Sequence, residues 1–123
     1  MINPFDSTRI IREMLLSDTE IQAAVGDKVF PLVSVEDTEG DFIVYMRDKI
    51  RQEVAKAGVS DIVATVFLIC VSSDYDRSNA IASRCRTLLD GRYSGDIREI
   101  RLKDASEDFN ERHYMQVLEF EIK

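Results

Sequence analysis

The chain opens on a helical period. Ile10, Ile11, Met14 and Leu15 recur at three- and four-residue spacing while Arg9, Arg12 and Glu13 face away. A helix is expected there, behind Pro4 and Asp6 and N-capped by Ser7. Ser17-Asp18-Thr19-Glu20 has capping-box spacing; Ile21, Ala24 and Val25 give a second short helix its apolar face, and Gly26 is its stop. "DKVFPLV" reads as a short extended piece carrying Pro31, and "SVEDTEGD" as an exposed acidic loop around Gly40.

From Phe42 the period changes to two. Phe42, Val44 and Met46 alternate with Ile43, Tyr45 and Arg47, and the strand continues outward through Arg51 and Val54 with a polar face. "AKAG" turns at Gly58. Residues 59–72, apolar on both faces at their centre, form a second long strand in mid-sheet, and the two strands make an antiparallel hairpin. Residues 74–90 return to helical spacing, with Ser78, Ile81, Ala82, Cys85, Leu88 and Leu89 in one stripe and Gly91 ending it. "RYSG" is a turn. Residues 97–105 and 113–122 alternate again, separated by the polar turn "SEDFNER". The order α-α-β-β-α-β-β predicts one α+β domain over residues 1–123. Its expected architecture is a mostly antiparallel four-stranded sheet with one long helix packed on a face and short N-terminal helices.

Composition narrows the function classes. The chain has 123 residues, 45% hydrophobic and 32% charged, enough to build a core without metal or disulfide staples. Its net charge of −7 and pI of about 4.7 repel phosphate backbones and anionic lipid. A nucleic-acid reader and a membrane-docking protein are therefore disfavoured, whereas a protein that lets DNA slide past is not. Cys70 and Cys85 lack metal-ligand spacing and read as buried reduced thiols. The N-terminus has no apolar h-region, so no signal peptide is expected, and the longest apolar run, residues 62–71, is too short to span a bilayer.

The stretch "ICVSSDYDRS" is the first candidate for chemistry. Ser73 at an N-cap with Asp76 three residues on mimics a capping box, and Asp74 and Asp76 sit where a helix dipole favours negative charge. A hydrolase using Ser73 and His113 would need nucleophile, base and oxyanion donor to converge, and nothing in the sequence ties the single histidine to Ser72 or Ser73. Asp104, Glu107, Asp108 and Glu111 lack EF-hand spacing and its central glycine, and read as a solvated turn. The glycines are isolated, so there is no phosphate loop. No catalytic residue, cofactor or metal ligand is assigned. Arg47, Lys49, Arg51 and Lys56 fall on the first long strand, the odd-numbered ones on one face, without the interleaved aromatics of a nucleic-acid strip. They read as the exposed face of a protruding hairpin that docks against the acidic loop of a neighbouring subunit. The expected protein-interface residues are Glu36, Asp37 and Glu39 in the loop, Arg47, Lys49 and Arg51 on the hairpin, and Glu107 and Asp108 in the polar turn.

The succession "IQAAVGDKVFPL", "FIVYMRD", "VSSDYDRSNAIASRCRTLLDG" and "IREIRLKDASEDFNERHYMQVLEFEI" resembles the small tail-completion family of long-tailed bacteriophages and prophages. These are also called tail-to-head joining proteins and are related in fold to tail terminators. The resemblance covers nearly the whole chain. It implies a non-enzymatic virion protein that is made in the bacterial cytoplasm and assembles with itself into a ring, commonly a hexamer. The ring sits between the head connector and the tail tube, with DNA passing through its lumen. A small ligand-binding or regulatory α+β module is the alternative; it requires polar groups converging in an apolar cleft.

Overall fold

The structure, a computed structural model, describes residues 3–33, 38–92 and 97–123. A 3₁₀ turn, Pro4–Asp6, leads into α1 (Ser7–Ser17) and α2 (Thr19–Val25). Then follow β1 (Val29–Pro31), the long strands β2 (Phe42–Ala55) and β3 (Gly58–Ser72), α3 (Tyr75–Leu89), β4 (Ile100–Asn110) and β5 (His113–Ile122).

The α+β class holds, but the sheet is five-stranded and mixed, in the order β1-β2-β3-β5-β4, rather than four-stranded. The added strand is the "VFP" piece, which runs parallel to β2 with Val29 opposite Ile43 and Pro31 opposite Tyr45. Ile43 N–H donates to the Lys28 carbonyl (3.0 Å) and Leu32 N–H to the Tyr45 carbonyl (2.8 Å). Pro31, lacking a donor, is tolerated because β1 is an edge strand. Leu32, at φ 64, then turns the chain off the edge.

All three helices lie on one face of the sheet. Ile11 and Leu15 of α1, Ile21 and Val25 of α2, and Ile81, Cys85 and Leu89 of α3 meet Tyr45, Val66, Leu68, Leu118, Phe120 and Ile122 from the strands. Each fully buried large side chain contributes about 1.5–3 kcal/mol of transfer free energy. The opposite face carries a smaller cluster of Phe42, Val44 and Val71, flanked by Phe30, Ile69 and Met115, and no helix covers it among the described residues. That second cluster accounts for the apolar residues β3 carries on both faces.

Several local expectations shift. Asp18, not Ser17, caps α2, accepting from Ile21 N–H at 3.0 Å, while Ser17 Oγ donates back to the Glu13 carbonyl. Asp74, not Ser73, caps α3 through Arg77 N–H (3.0 Å). Ser7 does not N-cap α1; its hydroxyl donates to the Pro4 carbonyl. The supposed polar turn over 104–112 is strand as far as Asn110, with only Glu111 and Arg112, at φ 50 and 67, making the hairpin turn. Residues 103–110 are exposed, so neither face imposes a hydrophobic period. The "RYSG" turn, apart from Arg92, and residues 34–37 of the acidic loop lie outside the described residues.

Candidate interaction surface

The "SSDYD" segment is a joint between strand and helix. Ser72, fully buried, donates to Asp41 Oδ1 (2.9 Å) and accepts from Asp74 N–H (3.0 Å). Arg77 Nε donates to Asp41 Oδ2 (3.0 Å), and a second Arg77 nitrogen reaches Asp41 Oδ1 and Ser73 Oγ, both at 3.4 Å. Asp41 thus ties the start of β2 to the end of β3 and the first turn of α3. His113 Nδ1 is engaged by the Glu111 carbonyl (2.9 Å). These partners account for each candidate catalytic group by local architecture, and we assign none a bond-making role.

A second carboxylate–guanidinium joint lies across the helices. Arg84 of α3 grips Asp18 through both oxygens, at 3.0 and 2.6 Å, and approaches Glu20 at 3.4 Å. The hydrogen bond from Arg84 holds the Asp18 carboxyl below the usual carboxylate range, against the opposing effect of burial. Between these two joints lies a groove of about 520 Å³, with Ile21, Ala24, Ala80 and Ile81 on its apolar side and Lys28, Arg77 and Arg84 on its rim. Those three cations already have acceptors: the Glu39 carbonyl, Asp41 and Asp18. Neither joint was anticipated from sequence, because the partners lie 36 and 66 positions apart.

The expected interface residues fall into separate places. Glu36 and Asp37 lie outside the described residues; Glu39 is exposed, with its carbonyl bound by Lys28 Nζ (2.7 Å). Arg47, Lys49 and Arg51 do not share a face as expected, because β2 slips register between Arg47 and Lys49, with Asp48 the extra residue. A bulge of this kind flips every following side chain. Arg47 pairs with Val66 on the helix side, and its guanidinium lies 4.7 Å above the Phe5 ring. Lys49 and Arg51 pair with Thr65 and Val63 and emerge on the helix-free face, where Arg51 approaches Glu121 at 3.7 Å.

Glu107 and Asp108 are exposed on β4. Glu107 accepts from Tyr75 Oη (2.9 Å) and Gln116 Nε2 (3.1 Å), beneath an aromatic group in which Tyr114 lies 5.4 Å from Tyr75 and 4.7 Å from Phe109. Phe109 and Tyr75 remain 56% and 43% exposed, as does the tip of the β2–β3 hairpin at Val54 (73%) and Val59 (46%).

No family model and no curated protein matches the chain. Among solved structures, it superposes on a chain of the virion of the native gene transfer agent particle with a TM-score of 0.78 at 17% identity. The match covers 91% of this chain and 89% of that one. The two chains share a fold. At that identity the correspondence extends to the whole arrangement of helices and sheet and not to particular side chains.

Proposed function

We propose that this protein is a structural, non-enzymatic component of a phage-type virion. In this reading it is a tail-completion or terminator subunit that assembles into a ring at the head–tail junction and joins or caps the tail tube. The observation that carries the reading is the fold shared over nine-tenths of the chain with a gene transfer agent virion chain. It coincides with a sequence resemblance to tail-completion proteins that also spans nearly the whole chain. Two features support it independently. The β2–β3 hairpin projects beyond the sheet with an apolar tip, a feature an isolated subunit has no use for. The net charge of −7 lets DNA move through a lumen without being trapped. The ligand-binding alternative is weakened by the groove between α2 and α3, whose rim cations are occupied by protein acceptors.

The test is electron microscopy of particles produced from a genome lacking this gene. Filled heads and unjoined or irregularly ended tails are expected. Normal, infectious, fully joined particles would refute the reading.

A further inference from the structure

We propose that subunits join head to tail by strand addition, with the outer edge of β4 of one copy pairing antiparallel with the outer edge of β2 of the next. The proposal rests on the ring reading only for closure; the pairing itself is argued from the two edges.

These edges lie on opposite sides of one sheet, and both are open. β1 covers β2 only from Ile43 to Tyr45, and among the described residues no strand covers residues 46–55 on that side. On β4, Gly91, Arg92 and Asp90 bind the backbone of Ile100 and Leu102, and among the described residues no strand lies outside residues 103–110. An open edge is a template for another chain. Here it is plugged rather than blocked: the amides of Ala105 and Phe109 are held by the carboxylates of Asp104 and Asp108 at 2.9 and 2.8 Å. A partner strand's carbonyls can replace such side-chain acceptors, whereas a proline or a covering loop would have closed the edge.

Strand direction fits. β2 is antiparallel to β3, β3 to β5 and β5 to β4, so β2 and β4 run in opposite directions. Like-oriented neighbours therefore bring β4 beside β2 in an antiparallel ladder, the more stable kind per residue. Charge fits at one pair. Asp104 and Asp108 pair with Glu119 and Met115, on the helix-free face of the sheet where the bulge at Asp48 has placed Lys49 and Arg51. Setting Asp108 opposite Lys49 leaves Arg51 facing Ser106 and Asp104 facing Glu53, so the favourable contact is the Asp108–Lys49 pair. This register also keeps Asn110 clear of β1, which ends at Pro31 opposite Tyr45.

That register requires a stagger. Through Met115 and Val71, Asp108 lies level with Phe42 in its own sheet, so reaching Lys49 moves each copy along the strands from Phe42 to Lys49. Spread over the four strands from β2 to β4, this is between one and two positions per strand. Closed sheets demand such an offset: a shear of about one residue per strand accompanies a tilt of roughly 36° in eight-stranded barrels. The interface is heterologous, so repetition closes into a ring or propagates as a helix.

The test uses the full chain at high concentration, with association read by sedimentation and light scattering. Lys49→Glu and Asp108→Lys should each weaken self-association by about fivefold, and an equimolar mixture of the two variants should restore it. Separately, oxidised Lys49→Cys/Asp108→Cys should give a ladder of covalent multimers, where each single cysteine variant stops at dimers. Unchanged association in both charge variants, a mixture that stays dissociated, or the absence of a ladder overturns the proposal. A wild-type chain still monomeric at millimolar concentration does so too. Joined rings in particles without the cross-link would leave the virion reading standing and remove only this interface. A ladder from a protein whose gene is dispensable for joining would do the reverse.

Discussion

Asp18 is the carboxylate on which the helical layer is most exposed to a single change. Its side chain is 8% accessible, caps α2 through Ile21 N–H, and takes both donors of Arg84, itself 31% accessible. Asp18→Ala removes the cap, which costs about 1 kcal/mol. It also removes two charge-assisted hydrogen bonds, adding roughly 1–2 kcal/mol, with Arg84 falling back on Glu20 and solvent. The expected total is about 2–3 kcal/mol, or a fall of about 8–12 °C in Tm for a chain of this length. Asp18→Asn keeps a side-chain oxygen for Ile21 and loses only the ionic part, about 1 kcal/mol. The folded-state carboxyl is held below its ordinary range, chiefly by the Arg84 hydrogen bond, so the ionic contribution is present at neutral pH. It is lost as the pH falls through and below about 4. The gap between wild type and Asp18→Asn in urea unfolding should therefore close in acid. An Asp18→Asn protein as stable as wild type at pH 7, or a gap that persists at pH 2 where the protein still folds, would refute the reasoning.

Other substitutions probe other links. Phe120, fully buried on β5 beneath the helices, should cost about 3–5 kcal/mol on truncation to Ala, read by chemical unfolding. Glu111→Asn with Arg112→Gly should raise stability by about 1 kcal/mol, because both turn residues have positive φ and an Asn-Gly pair adopts that geometry without strain. Cys70 and Cys85 face each other at 4.0 Å in the core, and the mutual hydrogen bond, with burial, pushes the Cys70 thiol well above its ordinary range. Neither should react with an aromatic disulfide reagent at pH 8 until the protein is unfolded, a point checked by following absorbance with and without denaturant.

The long elements were legible because burial imposes a period. β3 is covered on both sides at its centre, α3 presents Ser78, Ile81, Ala82, Cys85 and Leu89 to the sheet, and the sequence carries both patterns openly. Where an element is very short or burial is absent, the pattern fails. β1 is three residues of edge strand containing a proline, too short to show alternation. The second half of β4 is exposed on both faces, so its composition is that of a turn although its backbone is extended. The caps at Asp18 and Asp74 were displaced by one residue because Ser-Asp offers two adjacent side chains that can accept the same amide. The bulge at Asp48 left no mark on residue types at all, yet it decides which of the basic residues share a face.

That bulge also gives the hairpin its meaning. Without it, Lys49 and Arg51 would follow Arg47 toward the helix layer, and the helix-free face of residues 46–55 would lack its cations. β5 ends opposite Ala64, so the remainder of the β2–β3 ribbon extends as two strands with Val54 and Val59 at an exposed tip. A two-stranded ribbon is marginal in water on its own. Toward its tip the ribbon is tied by Ser60 to the Glu53 carbonyl and Arg51 to Glu53, exposed contacts of the kind that contribute little, while Asp61 nearer its base pairs with Arg98 and Lys123. An extension of that length, whose tip adds little to the isolated subunit, makes physical sense when its stabilisation comes from a neighbouring chain. The same ribbon offers an unpaired backbone edge, a cationic face and an apolar end to supply it.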